Sequence, residues 1–302
     1  MAQTKGVVGI VGLGIMGGTF CRHLIADGWR VIGSDIDPAT AQAARALGAE
    51  VVADAAEVAR AAETLLVVVP STEALDDVLA NVCASGVARR IVVEMGTFSL
   101  DDKLAAGERL AAHGHAMLDC PVSGTGAQAR TKDLVVFVSG DQTLADGVAP
   151  VFAGFARQAE YVGPLGNGTR MKLVTNHLVA IHVAAAGEAI ALGVKAGLDP
   201  GQVLAMAQAG AADSRMLHLR GPMMVANRYD GPNISARTSI LMKDVTTISR
   251  LADDLACPTP VLNAVKTLYA AAMATGHADH DPASVAAVSR AIAGLTDGKA
   301  GR

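Results

Sequence analysis

This sequence predicts an α/β domain built on a doubly wound, largely parallel sheet, followed by an all-α domain. Three observations carry the prediction. Short β-branched runs alternate with helical spacing through the first half, a glycine-rich turn follows the first run, and after YVGPLGNG (161–168) the strand runs stop while helical spacing continues. The 302 residues suffice for two domains of ordinary size, each with its own core.

GVVGIVG (6–12) is a β-branched run closed by glycine, as expected of a strand buried on both faces. A helix follows through about Ala26; RVIGSD (30–35) is a second strand, and PATAQAARALG (38–48) a helix closed by Gly48. TLLVVVP (64–70) is a strand ended by Pro70, which lacks the N–H that a ladder needs. STEALDDVLANV, IVVEMG (91–96), LDDKLAAGERLAAHG and HAMLDCPV continue the alternation, and LVVFVSGD (134–141) adds a further strand. From about Thr169 a long helix is expected, then helices over 201–211, 213–228, 237–256 and 258–275, with a fraying tail GLTDGKAGR. The expected domains are residues 1–163 and 164–302.

With 51% hydrophobic and 18% charged residues, but no run of 18 uncharged apolar ones, the chain predicts neither a membrane span nor a membrane partner. Its small aliphatic surface must be hidden, partly between subunits, so a homodimer or homotetramer is expected. A net charge of −4 and a pI near 6.0, without a dense basic block, argue against a nucleic-acid partner. Cys21, Cys83, Cys120 and Cys257 show no CxxC or Cys/His ligand spacing, so no metal site or disulfide framework is signalled. They read as thiols of a reducing compartment. The opening MAQTKGVVGIVG lacks the order of a signal peptide, and a cytoplasmic location is expected.

The run Gly12, Leu13, Gly14, Ile15, Met16, Gly17 is a GxGxxG sequence that follows a predicted strand, opens a predicted helix and precedes an acidic residue at the end of the next strand. That context predicts a Rossmann-type dinucleotide site. Gly12 permits the tight turn, Gly14 lets backbone approach a pyrophosphate, and Gly17 lets helix and strand pack closely. Asp35 lies about twenty positions on, where a carboxylate accepts hydrogen bonds from ribose hydroxyls. SDIDP holds no arginine to receive a 2′-phosphate, so NAD is expected over NADP. Asp37 is placed to cap the helix that starts at Pro38.

Two stretches exceed what a nucleotide domain needs. DCPVSGTGAQAR (119–130) brings Ser123 and Gly124 into a loop whose hydroxyl and N–H groups suit a carboxylate, although an ordinary Ser-Gly turn has the same composition. In GNGTRMKLVTN (166–176), Lys172 and Asn176 are one helical turn apart and share a face. A helical lysine often faces water. Here Leu173, Val174, Val179 and Ala180 surround it with apolar neighbours, and desolvation brings a lysine toward the range that acid/base work requires.

Together these residues resemble the β-hydroxyacid dehydrogenase family, which includes 3-hydroxyisobutyrate, tartronate semialdehyde, 4-hydroxybutyrate and threonate dehydrogenases. The resemblance runs from GIVGLGIMG through DCPVSG and GNGTRMKLVTN to LMKDV and a late Gly276…Asp281 pair. It implies the 6-phosphogluconate dehydrogenase-like pairing of a Rossmann-type and an all-α domain. It places the GLGIMG loop, Pro70 and Thr97 beside the cofactor, and Ser123, Gly124 and Thr125 at the substrate carboxylate. It makes Lys172 the catalytic lysine, Asn176 a substrate holder, and Lys243, with Asp244 beside it, a lysine that reaches toward the nicotinamide and substrate on the cofactor side. Oxidation then sends a hydride to the nicotinamide while Lys172 takes the hydroxyl proton, with no metal.

The chain departs from the family where Thr125 and Lys132 stand in for common glycines and Thr175 for a frequent asparagine. Those changes surround the substrate, and with Arg130 and Arg170 they bear on which acid is taken. His177, His182, His218, His277 and His280 show no metal spacing. Three rivals are an imine reductase-like NADPH enzyme, which Lys172 and Asp35 oppose, a decarboxylating 6-phosphogluconate dehydrogenase, whose substrate domain is considerably longer, and a non-catalytic nucleotide-binding protein, which would be expected to lose Lys172.

Overall fold

The structure is a computed structural model and describes residues 4–231, 234 and 236–295. Most of the expected fraying tail therefore lies outside the described residues. The chain divides into two compact units, Met1–Lys172 and Leu173–Arg302.

In the first unit, six parallel strands form one sheet: β1 (Val7–Val11), β2 (Arg30–Ser34), β3 (Glu50–Val51), β4 (Thr64–Val67), β5 (Ile91–Glu94) and β6 (Ala116–Asp119). Their order is β3-β2-β1-β4-β5-β6, so the direction of winding reverses between β1 and β4. Ligands of such sheets collect at that reversal, outside the carboxyl ends of the strands. Helices α1 (Ile15–Ala26), α2 (Pro38–Ala46), α3 (Ala55–Ala61), α4 (Thr72–Ala84) and α5 (Leu100–Ala112) connect the strands. Four of them start where the sequence offers a cap: Asp37, Asp54, Ser71 and Ser99 each accept from a backbone N–H of the first turn. Both faces of the sheet are covered. Val8, Ile10, Phe20, Leu24, Phe152 and Phe155 pack on one side, with Phe20 stacked on Phe155 at 4.2 Å, and Val67, Leu75, Leu79 and Leu110 on the other.

The segment after β6 corrects the sequence reading. β8 (Val135–Val138), expected to extend the parallel array, is instead the centre of a second sheet with β7 (Val122–Ser123) and β9 (Gln158–Tyr161). β7 and β8 are antiparallel, whereas β8 and β9 are parallel. The cause is a reversal at the end of β6. Asp119 and Ser139 exchange both backbone hydrogen bonds at 3.0 Å in an antiparallel bridge, and Pro121 accepts from Phe137 N at 3.1 Å, which turns β8 against β6. Helices α6 (Gly126–Arg130) and α7 (Gln142–Phe155) complete this part.

The chain then enters α8 (Asn167–Lys195), whose first residues belong to the first unit and the rest to the second. By length and composition α8 is apolar enough to cross a bilayer, and 44% of its most apolar stretch is buried within the protein. The second unit continues with α9 (Pro200–Ala209), α10 (Arg215–Ala226), α11 (Thr238–Asp254), α12 (Pro260–Ala274), a 3₁₀ turn at Pro282–Ser284 and α13 (Val285–Ile292). Its core joins Val183, Ile190, Met224, Val245, Leu262 and Tyr269, and the Tyr269 hydroxyl donates to Ala180 O at 3.0 Å. The four helices after α8 match the sequence segments within a few residues. The short α13 was not anticipated. Asp281 caps the turn before it and also holds the buried Arg220 guanidinium at 2.9 Å.

Candidate active site

The glycine loop divides into two kinds of glycine. Gly12 has φ +88, and a β-carbon there would stand 2.2 Å from Val68 O; one on Gly17 would stand 1.9 Å from Gly12 O. The fold itself forbids a side chain at either place. Around Gly14, by contrast, a β-carbon would meet nothing within 4 Å, so that glycine leaves room for something other than protein. Gly14 is also the N-cap of α1 and provides no side-chain acceptor for the first-turn N–H groups. Free amides facing an open cradle at a helix N-terminus fit a pyrophosphate.

Asp35 closes the cradle. Its Oδ2 accepts the Leu13 N–H at 2.7 Å and its Oδ1 the Asp37 N–H at 2.8 Å, so the loop fixes the carboxylate while each oxygen retains capacity for a hydroxyl donor. Asp37 caps α2, accepting from Ala39 N, Thr40 N and Thr40 Oγ1. Ile36 between them is fully exposed and offers no charge. Pro70 lies exposed beyond the end of β4, which stops at Val67 rather than continuing to the proline. Ile15 meets the other candidate loop: its side chain would lie 2.7 Å from a β-carbon on Gly126.

That loop and Lys172 are brought together within the first unit. Lys172 is buried, and its Nζ donates to Val122 O at 2.7 Å, the carbonyl directly preceding Ser123. Gly124 has φ +135, and a β-carbon there would strike Leu134 Cδ2 at 2.4 Å. Thr125 is engaged locally: Gln128 Oε1 accepts its N–H at 3.1 Å and lies 3.4 Å from its hydroxyl. Lys132, standing where the family commonly has glycine, is held at φ +57, the left-handed conformation that glycine adopts without cost. Arg130 is exposed, and Arg170 donates to Asn167 Oδ1 at 3.0 Å.

In the second unit, Asn176 and Asp244 meet: Asn176 Nδ2 donates to Asp244 Oδ2 at 2.8 Å, and both side chains are buried. Lys243 Nζ lies 3.1 Å from Asp244 Oδ1, within ion-pair range but without hydrogen-bond alignment, so Oδ1 is buried with no hydrogen-bond donor. His277 and His280 face each other, Nδ1 to Nδ1, at 2.8 Å. Among the described residues no group of three or more His, Cys, Asp or Glu is arranged to hold a metal ion.

Residues 7–163 match the family model for the NAD binding domain of 6-phosphogluconate dehydrogenase, and residues 166–289 match that for the NAD-binding region of NADP-dependent 3-hydroxyisobutyrate dehydrogenase. The chain belongs to the β-hydroxyacid dehydrogenase family. As a member of that family it is an NAD(P)-dependent oxidoreductase. It is similar to L-threonate dehydrogenase of Cupriavidus necator, 29% identical over 92% of this chain and 94% of that protein. It is also similar to 2-hydroxy-3-oxopropionate reductase of Escherichia coli, 28% identical over 91% of this chain and 94% of that protein. Among solved structures, 3-hydroxyisobutyrate dehydrogenase from Salmonella typhimurium superimposes with a TM-score of 0.84 at 27% identity, covering 94% of this chain and all of that one.

The dehydrogenase also contains a buried charge cluster that the sequence reading passed over. Lys103, Glu94 and Asp119 are wholly buried, and Lys103 pairs with both carboxylates at the carboxyl ends of β5 and β6. A signal was present. Lys103 falls in the inward stripe of α5 with Ala106, Gly107 and Leu110, where helical spacing calls for an apolar residue.

Proposed function

We propose that this dehydrogenase uses NAD to interconvert a small β-hydroxy acid and its oxo acid, with Lys172 as the proton-handling group. The observation that carries the reading is the 2.7 Å hydrogen bond from Lys172 Nζ to Val122 O, which places the amine at the start of the Ser123–Gly124 loop. The nicotinamide, when bound, supplies or accepts the hydride. Ser123 and the Gly124 N–H hold the substrate carboxylate, which orients the reacting carbon. Lys172 takes the hydroxyl proton in oxidation and returns it in reduction. Asn176, one turn along α8, helps hold the acid; Thr97, Lys243 and Asp244 are assigned to the cofactor side. The substrate class follows the relatives, which are named for threonate, 2-hydroxy-3-oxopropionate and 3-hydroxyisobutyrate.

The preference for NAD is supported by Asp35, whose charge repels a 2′-phosphate, and by the uncharged Ile36 beside it. We assign the nucleotide to residues 1–163 and self-association to 164–302, where Leu192, Val261 and Ile292 expose apolar side chains around one groove. A homodimer or homotetramer covers that surface. Four unpaired cysteines support a reducing, cytoplasmic setting, with small acids rather than nucleic acid or membrane as partners.

The test is NADH formation across 3-hydroxyisobutyrate, glycerate, 4-hydroxybutyrate, threonate and related sugar acids, with NADP in parallel. One acid turns over with NAD, and Lys172→Ala lowers kcat by about 10²–10⁴-fold while NAD binding survives. Turnover that persists in Lys172→Ala sinks the mechanism; tight NAD binding with no turnover of any acid sinks the substrate class.

A further inference from the structure

Burying charge in a sheet domain is costly unless every charge finds partners, and an apolar trio of equal volume often serves stability as well. Three buried charges therefore invite the question of what they hold. Lys103 Nζ is paired with Glu94, lies 3.0 Å from Asp119 Oδ1 and donates to Gly96 O at 2.9 Å. Glu94 Oε1 accepts the Gly96 N–H at 2.7 Å, so both polar groups of Gly96 are pinned, and Thr97 follows directly. Asp119 accepts the Thr169 N–H at 2.7 Å and the Thr169 hydroxyl at 2.9 Å, which makes it a remote cap for α8 three residues before Lys172. Ser139 Oγ accepts the neighbouring Gly168 N–H at 2.9 Å and donates to Asp119 O at the same distance. From Asp119 the chain runs through Cys120 and Pro121 to Val122, whose carbonyl holds Lys172. One ammonium thus ties the Thr97 turn, the origin of the Ser123 loop and the first turn of α8.

We propose that Lys103 is a positioning residue of the reaction: through Gly96 and Asp119 it fixes the Thr97 turn and the start of α8, and so holds Lys172 Nζ at the Ser123 loop. This rests on the reading of Lys172 as the acid/base. No step of that chemistry touches Lys103 itself. An error of about 1 Å at Lys172 is enough to cost about 10²-fold in rate, so the cluster acts on kcat without touching substrate.

The experiment compares Lys103→Met, Thr169→Val and Thr169→Ser. Two readouts are taken: steady-state kinetics, and the pH dependence of Lys172 acylation by acetic anhydride, followed by mass spectrometry, which needs no substrate. In Lys103→Met and Thr169→Val, kcat falls by about tenfold or more while KM for NAD changes by less than about threefold. The acylation profile of Lys172 moves by about half a pH unit or more in both, because its surroundings are no longer fixed. Thr169→Ser restores both. A folded Lys103→Met or Thr169→Val with the wild-type kcat and acylation profile overturns the proposal, and Thr169→Val decides alone where Lys103→Met fails to fold. Turnover surviving Lys172→Ala would overturn the acid/base reading instead, and the acylation profile would still decide whether Lys103 positions that amine.

Discussion

At the scale of single residues, the proposed nucleotide site rests on side chains whose roles are separable. Asp35 and Ile36 make one pair. Under the proposed preference for NAD, replacing them together, Asp35→Ser with Ile36→Arg, exchanges a charge that would repel a 2′-phosphate for one that would attract it, so kcat/KM shifts from NAD toward NADP by about 10²-fold, an effect of about 3 kcal/mol. Unchanged preference in steady-state assays with both cofactors would remove Asp35 from the account. Lys132 makes the opposite kind of test. Its left-handed backbone costs about 1 kcal/mol, so Lys132→Gly raises the urea midpoint, and a lower midpoint would mean that its side chain earns its place by contacts. These positions were legible because each carries a local reason: a missing arginine at 36, a missing glycine at 132. Lys103 was legible only in part: its place in the apolar stripe of α5 marks it, but its partners Glu94 and Asp119 lie on neighbouring strands and only the folded sheet brings them to it.

At the scale of elements, caps and periods explain what the sequence shows and pairing explains what it hides. The helices α2 to α5 begin at the Asp and Ser residues that local rules select, and α8 is readable from its long unbroken spacing. The run 134–141 is legible as a strand, but its partner is chosen by the bridge between Asp119 and Ser139, which no local pattern encodes. The same holds for α13. Its position depends on Asp281, which caps the preceding turn and meets Arg220 of α10 across sixty residues of chain. Removing one partner of this buried pair leaves the other unneutralised, so Arg220→Met destabilises the second unit by about 3–5 kcal/mol. Urea denaturation followed by circular dichroism measures this, and a loss under about 1 kcal/mol would show that the pair is a dispensable one.

For the molecule as a whole, several buried acids set an upper limit of pH. Burial pushes the Cys21 thiol from an ordinary 9.0 up to about 11, with Arg22 opposing, and pushes Cys120 and Tyr269 higher still. A raised folded-state pKa means that the folded form resists ionisation. The associated stability is complete below the unfolded value near 9 and is lost as pH rises toward the folded one, with Cys21 alone contributing about 2–3 kcal/mol. Urea midpoints should be flat up to about pH 8.5 and fall between about pH 9 and 11, with a shallower fall in Cys21→Ala. A midpoint that stays level through that range would contradict the burial of these groups. Assays of acid oxidation, which gain from alkali, are best kept below it.

The continuity of α8 bears on recombination with relatives. A splice at the boundary between the two compact units would cut the helix immediately after Lys172. A splice in the turn around Gly163 leaves the helix whole, yet it hands Lys172 and Thr169 to the incoming half while Asp119 stays with the host sheet. Chimeras therefore need a host half whose Asp119 carboxylate, Ser139 hydroxyl and Val122 carbonyl all fit the donor's helix start, so compatibility at this junction is set by three contacts rather than by the splice point alone.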